Sequence, residues 1–188
     1  MMEPSDSRRR LVSILQHAYS GERAAGLAYA GHWRSVAGAE ERQQIRAIED
    51  EEWRHRRLVG EMLAALGSAP DRWREIRAVV IGRVLGALCH VSPWFLPMYG
   101  AGRLESSNIV EYEDAARCAM GCDRQEFVDC LLTMAEVEWE HEAYFRARVT
   151  GHSWSRILRV WAAPAPKEQI REQALAAPPP SPLRGVSA

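Results

Sequence analysis

Apolar residues return at intervals of three and four along most of the chain, which predicts helices and leaves no alternating stretch that reads as a strand. The first run holds Leu11, Leu15, Ala18, Ala25 and Tyr29 and continues to Trp33 or its neighbour. Residues 1–7 are polar and expected to fray, with Asp6 or Ser7 as N-cap and the helix ending near Gly38. Ile45, Ile48, Val59, Met62 and Leu66 predict a second helix over 39–66, closed by Gly67 with Pro70 just beyond. A more apolar helical stretch follows over 73–91, broken by Pro93 and Pro97 with Trp94 and Phe95 between them. A further helix is expected over about 102–120 (Ile109, Tyr112, Ala116, Ala119), ended by Gly121. The stretch from Asp123 to Glu126 has the form of a capping box that opens a last long helix (Phe127, Leu131, Met134, Phe145), ending near Gly151. Ser153 to Trp161 reads as a short amphipathic piece, and from Pro164 the Ala- and Pro-rich chain has no seam and is expected to be disordered. The chain thus divides into an all-α bundle over 8–151 and an appended piece over 152–188.

The stripes are interrupted in phase by ionisable residues: Glu22 in the first helix, Glu52 and His55 in the second, Glu105 in the one before Gly121, and Glu138 and His141 in the last. A Glu and a His three apart share one helix face, so each pair aims two metal ligands at one point. A carboxylate in a core costs several kcal/mol unless it is paired or bound to a cation. One Glu-x-x-His is weak evidence, because a surface Glu falls in phase with a seam by accident. Two copies, with one further Glu from each of two other helices, are the ligand arrangement of di-metal carboxylate bundles. Glu111 and Glu113 compete with Glu105 for the fourth acid. Glu22 to Glu52 spans 30 positions (52 − 22) and Glu105 to Glu138 spans 33 (138 − 105), each divided nearly equally by a turn, so the acids of each hairpin end level. Starting from Glu111 leaves a mismatch of roughly 8 Å, and from Glu113 more. The plan is ferritin-like: two helical hairpins joined by a long apolar crossover helix. Four carboxylates and two imidazoles suit two iron ions, with manganese the weaker candidate and Glu52, Glu138 or both bridging. Zinc, which favours four ligands and often thiolates, fits less well.

Composition narrows the class. Hydrophobic residues make up 47% of 188 and the net charge is −1, enough for one domain with a core and no electrostatic pull toward nucleic acid. Cys89, Cys118, Cys122 and Cys130 include no Cys-x-x-Cys pair, and no secretory signal pattern opens the chain. They are expected as reduced core thiols of a cytosolic protein. Arg77 and Arg83 interrupt the apolar stretch, so it does not span a membrane. Two readings remain for it: a helix packed on the bundle, or one resting on the inner face of the cell membrane with Trp94 and Phe95 at the interface. A membrane surface and a second copy of the chain are the candidate macromolecular partners.

The motif residues resemble those of the demethoxyubiquinone hydroxylase family. The resemblance covers about residues 17–148 and is carried by Gly21-Glu22, Ala25 and Tyr29-Ala30-Gly31, by the stretches from Asp50 to His55 and from Val84 to Leu88, by Leu104-Glu105-Ser106 with Tyr112 and Arg117, and by the stretch from Glu136 to His141. Ala24, His32 and the region after Gly151 depart from the family pattern. The resemblance implies oxygen activation at a di-iron centre and hydroxylation of a quinone ring bearing a long isoprenoid tail, with electrons from an outside donor, as in ubiquinone biosynthesis. Tyr112 is the candidate catalytic residue beyond the ligands, with seam packing the alternative for it and for Tyr29. Asp50 and Glu136 are candidates to orient the opposite imidazoles, and a solvated helix edge is their alternative. His17, His32, His90 and His152 have no partner pattern. The rival function is an iron-oxidising or peroxide-consuming protein on the same fold, which needs an acidic iron path where a hydroxylase needs an apolar channel. A metal-free interaction bundle is the third reading.

Overall fold

The computed structural model describes residues 3–176, and among these it contains helices and no strand. Four long helices form the bundle: α1 (Pro4–Ser35), α2 (Ala39–Ala65), α4 (Phe95–Met120) and α5 (Gln125–Val149), with α3 (Arg72–Leu88) and a short α6 (Ile170–Ala176) applied to its outside. Partner residues give the directions. Trp33 meets Glu49 and Arg56 meets Tyr19, so α1 and α2 are antiparallel; Asn108 meets Glu138 and Gly102 lies against Phe145, so α4 and α5 are too. Tyr112 meets Glu22 and Tyr29 meets Glu105, which makes α1 and α4 antiparallel as well. α3 instead runs parallel to α1, because its Glu75 meets Arg23 while its Gly86 meets Gly31.

The apolar seams are buried as the periodicity predicts, but they form two cores. One gathers Leu11, Leu15, Val59, Leu63, Ile109, Leu131 and their neighbours; the other gathers Ala25, Tyr29, Ile45, Ile48, Phe95, Met98 and Phe145. The band between them is where Glu22, Glu52, Glu105 and Glu138 lie, all buried. Each helix therefore buries apolar surface above and below its acid, and that burial fixes the acids in place.

Several boundaries differ from the sequence reading. α1 begins at Pro4, whose fixed φ suits the first helical position, and Ser7 is buried against Gly121 rather than frayed. α4 begins at Phe95, because Pro97 falls in the first turn, where no intrahelical N–H is required. The capping box does not form: Asp123 takes φ 57°, Arg124 is the N-cap of α5, and no side chain caps it. Of the four cysteines only Cys118 is fully buried. The disorder expected from Pro164 does not hold for residues 167–176. Ile170 and Ala174 enter the first core, Arg171 reaches Glu136, Asp129 and Thr133, and Trp139 Nε1 donates to Ala165 O at 2.8 Å. The same expectation for residues 177–188 lies outside the described residues.

α3 is the element whose packing least resembles an ordinary amphipathic helix. It buries its small residues, Ala78, Gly82 and Gly86, and turns Ile76, Val80, Ile81, Val84, Leu85 and Leu88 outward. Its first turns are pinned by Glu75, which accepts from Arg23 of α1 at 2.8 Å and from Arg56 of α2 at 2.7 Å. Farther along, backbone meets backbone: a Cβ at Gly31 would lie 2.3 Å from the Gly86 carbonyl oxygen. Gly31→Ala should therefore lower stability by about 1–3 kcal/mol, because the helices must separate. Gly21→Ala, whose Cβ meets nothing within 4 Å, should raise stability by up to about 1 kcal/mol through helix propensity. Urea unfolding of the two variants checks both signs.

Candidate metal centre

Each long helix delivers its ionisable residues to the band between the cores, and antiparallel pairing of α2 with α5 crosses the two Glu-x-x-His pairs. His55 Nδ1 lies 2.8 Å from Glu138 Oε1, and His141 Nδ1 lies 3.5 Å from Glu52 Oε1. The ligand atoms form two groups, Glu22 with Glu52, His55 and Glu138, and Glu52 with Glu105, Glu138 and His141. Within each group one ligand atom per residue lies within 4.8 Å of every other. Glu52 and Glu138 belong to both groups. All six residues singled out by their phase in the stripes thus converge. Glu111 does not join them: its Oε1 accepts or shares a proton with His17 Nδ1 at 2.8 Å near the surface, and Glu113 pairs with Arg117.

The two tyrosines have symmetric roles. Tyr112 of α4 donates to Glu22 of α1, and Tyr29 of α1 donates to Glu105 of α4. Each sits seven residues, two turns, after the lone Glu of its own helix, so antiparallel pairing brings it level with the lone Glu of the other. Sequence reasoning missed three further residues. Asn108 Nδ2 donates to Glu105 Oε2 at 3.0 Å and reaches Glu138 Oε2 at 3.4 Å. Its spacing of three from Glu105 was the available signal. Glu142, fully buried four residues after Glu138, accepts from Trp161 Nε1 at 2.7 Å and Arg146 Nε at 2.8 Å. His32 is the neighbour of Trp33 that completes the α1 seam. Asp50 and Glu136 do not orient the imidazoles: Asp50 is exposed, and Glu136 holds Arg171 of α6.

The electrostatics are those of negative charge confined without solvent. Burial, then the charges of Glu22, Glu138 and Glu105, pushes Glu52 well above the usual carboxylate range. Burial, then Glu138, does the same to Glu105, and burial also raises Glu22. Glu138 goes the other way. Burial is the largest single influence on it and would raise it, but His141, His55 and the hydrogen bond from Glu105 together hold it well below that range. Burial is the largest influence on His55 and opposes its protonation, but the hydrogen bond with Glu138 and the charges of Glu138, Glu22 and Glu51 together raise it. Both oxygens of Glu52, Oε2 of Glu22 and Nδ1 of His141 are buried with no hydrogen-bond partner. Orphaned acceptors converging on one band are what a bound cation satisfies, so the donor set fits a metal ion.

Two openings approach this band. A cavity of about 540 Å³ lies between α1, α3 and the start of α4, lined chiefly by apolar groups that include Ala25, Leu85, Leu88, Leu96, Pro97 and Leu104. Tyr29, one of its walls, is also the donor to Glu105. Nearer the start of α1, and sharing Leu104 with that cavity, a cleft of only about 50 Å³ is lined by His17, Glu22, Asn108, Glu111 and Tyr112. Comparison with family models, with curated proteins and with solved structures finds no match to the chain.

The raised acids fix the pH response of the metal-free protein. Glu22, Glu52 and Glu105 hold protons in the fold above their ordinary value of 4.5, so their contribution is full below that pH and is lost as pH rises through the folded values. His55, raised from 6.5, acts in the same sense, and Glu138, depressed, opposes them only below 4.5. Metal-free protein should therefore resist urea better at about pH 5.5 than at about pH 8. Saturating manganese(II) should reverse that order, because ligand protonation competes with the metal. Urea midpoints at the two pH values, with and without the ion, check it.

Proposed function

We propose that Glu22, Glu52, His55, Glu105, Glu138 and His141 hold two iron ions, with manganese the weaker candidate, on a ferritin-like plan in which α3 is the crossover between two hairpins. The protein on this reading is an oxygen-activating monooxygenase that hydroxylates a quinone-type apolar substrate. The observation that carries it is the joining of two features at Tyr29: an apolar cavity on one side and the carboxylate band on the other. These six residues would hold the iron, and the chemistry it would supply there is electron transfer to molecular oxygen, with an outside donor providing the reducing equivalents.

The chain's own residues have definable tasks. Tyr29 and Tyr112 hold Glu105 and Glu22 in fixed orientations, and Asn108 ties Glu105 to Glu138. Burial keeps both phenols protonated, so each remains a donor. The apolar walls exclude water and orient an apolar ring. The rival ferroxidase reading relies on a polar path for iron, and the cleft beside Glu22 and Tyr112 shares His17 and Glu111 with an outer groove that Asp6, Arg9 and Asp114 also line. What favours an organic substrate is the apolar lining of the cavity beside Tyr29.

Access from a lipid surface follows from α3. No helix among the described residues is long and apolar enough to cross a membrane. The exposed row from Ile76 to Val91 lies beside the cavity walls Leu85 and Leu88, so a long-tailed substrate reaches the cavity from lipid without passing through water. On this reading the protein works peripherally at a membrane surface, from its cytoplasmic side. Phe95 has no part in such contact, being 1% exposed in the second core, while Trp94 donates to Glu41.

Two experiments test the reading. Purified protein should carry about two irons per chain. Glu105→Ala should lose most of them, whereas Glu111→Ala should keep them with a stability change within about 0.5 kcal/mol. In cells lacking the protein an under-hydroxylated quinone precursor should accumulate, and Glu111→Ala but not Glu105→Ala should clear it. Unchanged quinones, or iron kept by Glu105→Ala, would sink the proposal. For the surface, Ser at Val80, Val84 and Val91 together should release the protein from phospholipid liposomes and leave its iron content unchanged. Wild-type protein that never sediments with liposomes would remove the membrane from the account.

A further inference from the structure

The cavity is apolar except at a few points, and one of these is a side chain that the metal-centred reading leaves unused. His32 lines it while being only 3% exposed, and its Nε2 is buried with no hydrogen-bond partner. The ring stands in an aromatic row: its centroid is 6.3 Å from Tyr29 and 6.0 Å from Phe145, at interplanar angles of 16° and 15°. Tyr29 in turn donates to Glu105. The row thus runs from the imidazole to the carboxylate band along one wall of the cavity.

Packing alone does not account for a histidine here. Leu or Phe would fill the same seam position, and a buried nitrogen with no partner lowers the stability of the free protein. Protonation offers no relief, because burial lowers the imidazole to about 4, so at neutral pH it carries no charge. A neutral imidazole nitrogen donates or accepts according to tautomer and so can pair with a hydroxyl or a carbonyl. A bridging water would find few other polar partners among these walls.

We infer that His32 is the specificity-determining residue of this cavity, anchoring through Nε2 the oxygen of an apolar ring ligand, a phenol or quinone carbonyl, so that the ring lies against Tyr29. This rests on the proposed reading of the cavity as the substrate's and adds the polar contact by which an oxygenated ring is told from a plain hydrocarbon. A site that offers a hydrogen bond in apolar surroundings discriminates chiefly against ligands that leave its polar group unpaired.

Equilibrium binding of two probes, 4-butylphenol and butylbenzene, to the full iron-loaded chain tests it. His32→Leu should weaken 4-butylphenol about tenfold and change butylbenzene by less than about twofold, since it deletes one hydrogen bond and keeps the apolar wall. His32→Gln, which retains hydrogen-bonding atoms, should keep most of the phenol's affinity. Four results overturn the inference: neither probe binding wild-type protein, Leu and wild type holding the phenol equally, both probes weakening by the same factor, or Gln behaving as Leu. Iron content measured on the same samples separates the two claims. Phenol selectivity that follows His32 in a chain holding no iron would leave this inference standing and remove the monooxygenase. Normal iron and normal quinone processing without selectivity would do the reverse.

Discussion

Four carboxylates buried in one band are the constraint to which the rest of the structure answers. Their mutual repulsion and their loss of solvation both oppose folding, and among the described residues the band's ion pairs are with His55 and His141 rather than with a lysine or arginine. Two apolar cores, one on either side, hold the helices at the spacing that brings the acids together. Those cores must offset the cost of the band, and a cation bound there would relieve it. This is why the acids sit mid-helix, where flanking apolar turns clamp both directions, and not at fraying ends.

The ligand band was legible because its signal is periodic. Glu22, Glu52, His55, Glu105, Glu138 and His141 occupy positions where the 3,4 pattern demands an apolar residue, and helix length alone separated Glu105 from Glu111. What escaped reading depends on tertiary contact. α6 carries only Ile170 and Ala174 inward and is fastened mainly by Arg171, so it has no seam to detect. Asp123 and Glu126 match the capping pattern, yet the chain turns through a left-handed Asp123 and the box stays open. Phe95 looked like an interface residue because it lies between prolines, but Pro97 tolerates the first helical turn and carries Phe95 into the core. His32 was passed over because a lone histidine has no pattern; only the cavity beside it gives it meaning.

α3 shows how a hydrophobic count misleads when faces are ignored. Its large apolar residues left two readings open, a helix packed on the bundle or one resting on a membrane, and the face that packs is the one with almost no side chain. Contact through Gly31, Gly82 and Gly86 lets the helix lie so close to α1 that nothing larger fits between them, and the bulky residues are turned outward as a result.

The centre is built almost as a dyad: two lone acids, two crossed Glu-His pairs, two tyrosines exchanged between α1 and α4. Its surroundings break that symmetry. Beyond Tyr29 lies a wide oily chamber, and beyond Tyr112 a slit edged by His17 and Glu111. Matched donors therefore face unlike neighbours, and the two ends of the band are inequivalent in dielectric even though they are alike in ligand. The buried acids are thus approached by two openings of unlike polarity, a wide apolar one past Tyr29 and a narrow polar one past Tyr112.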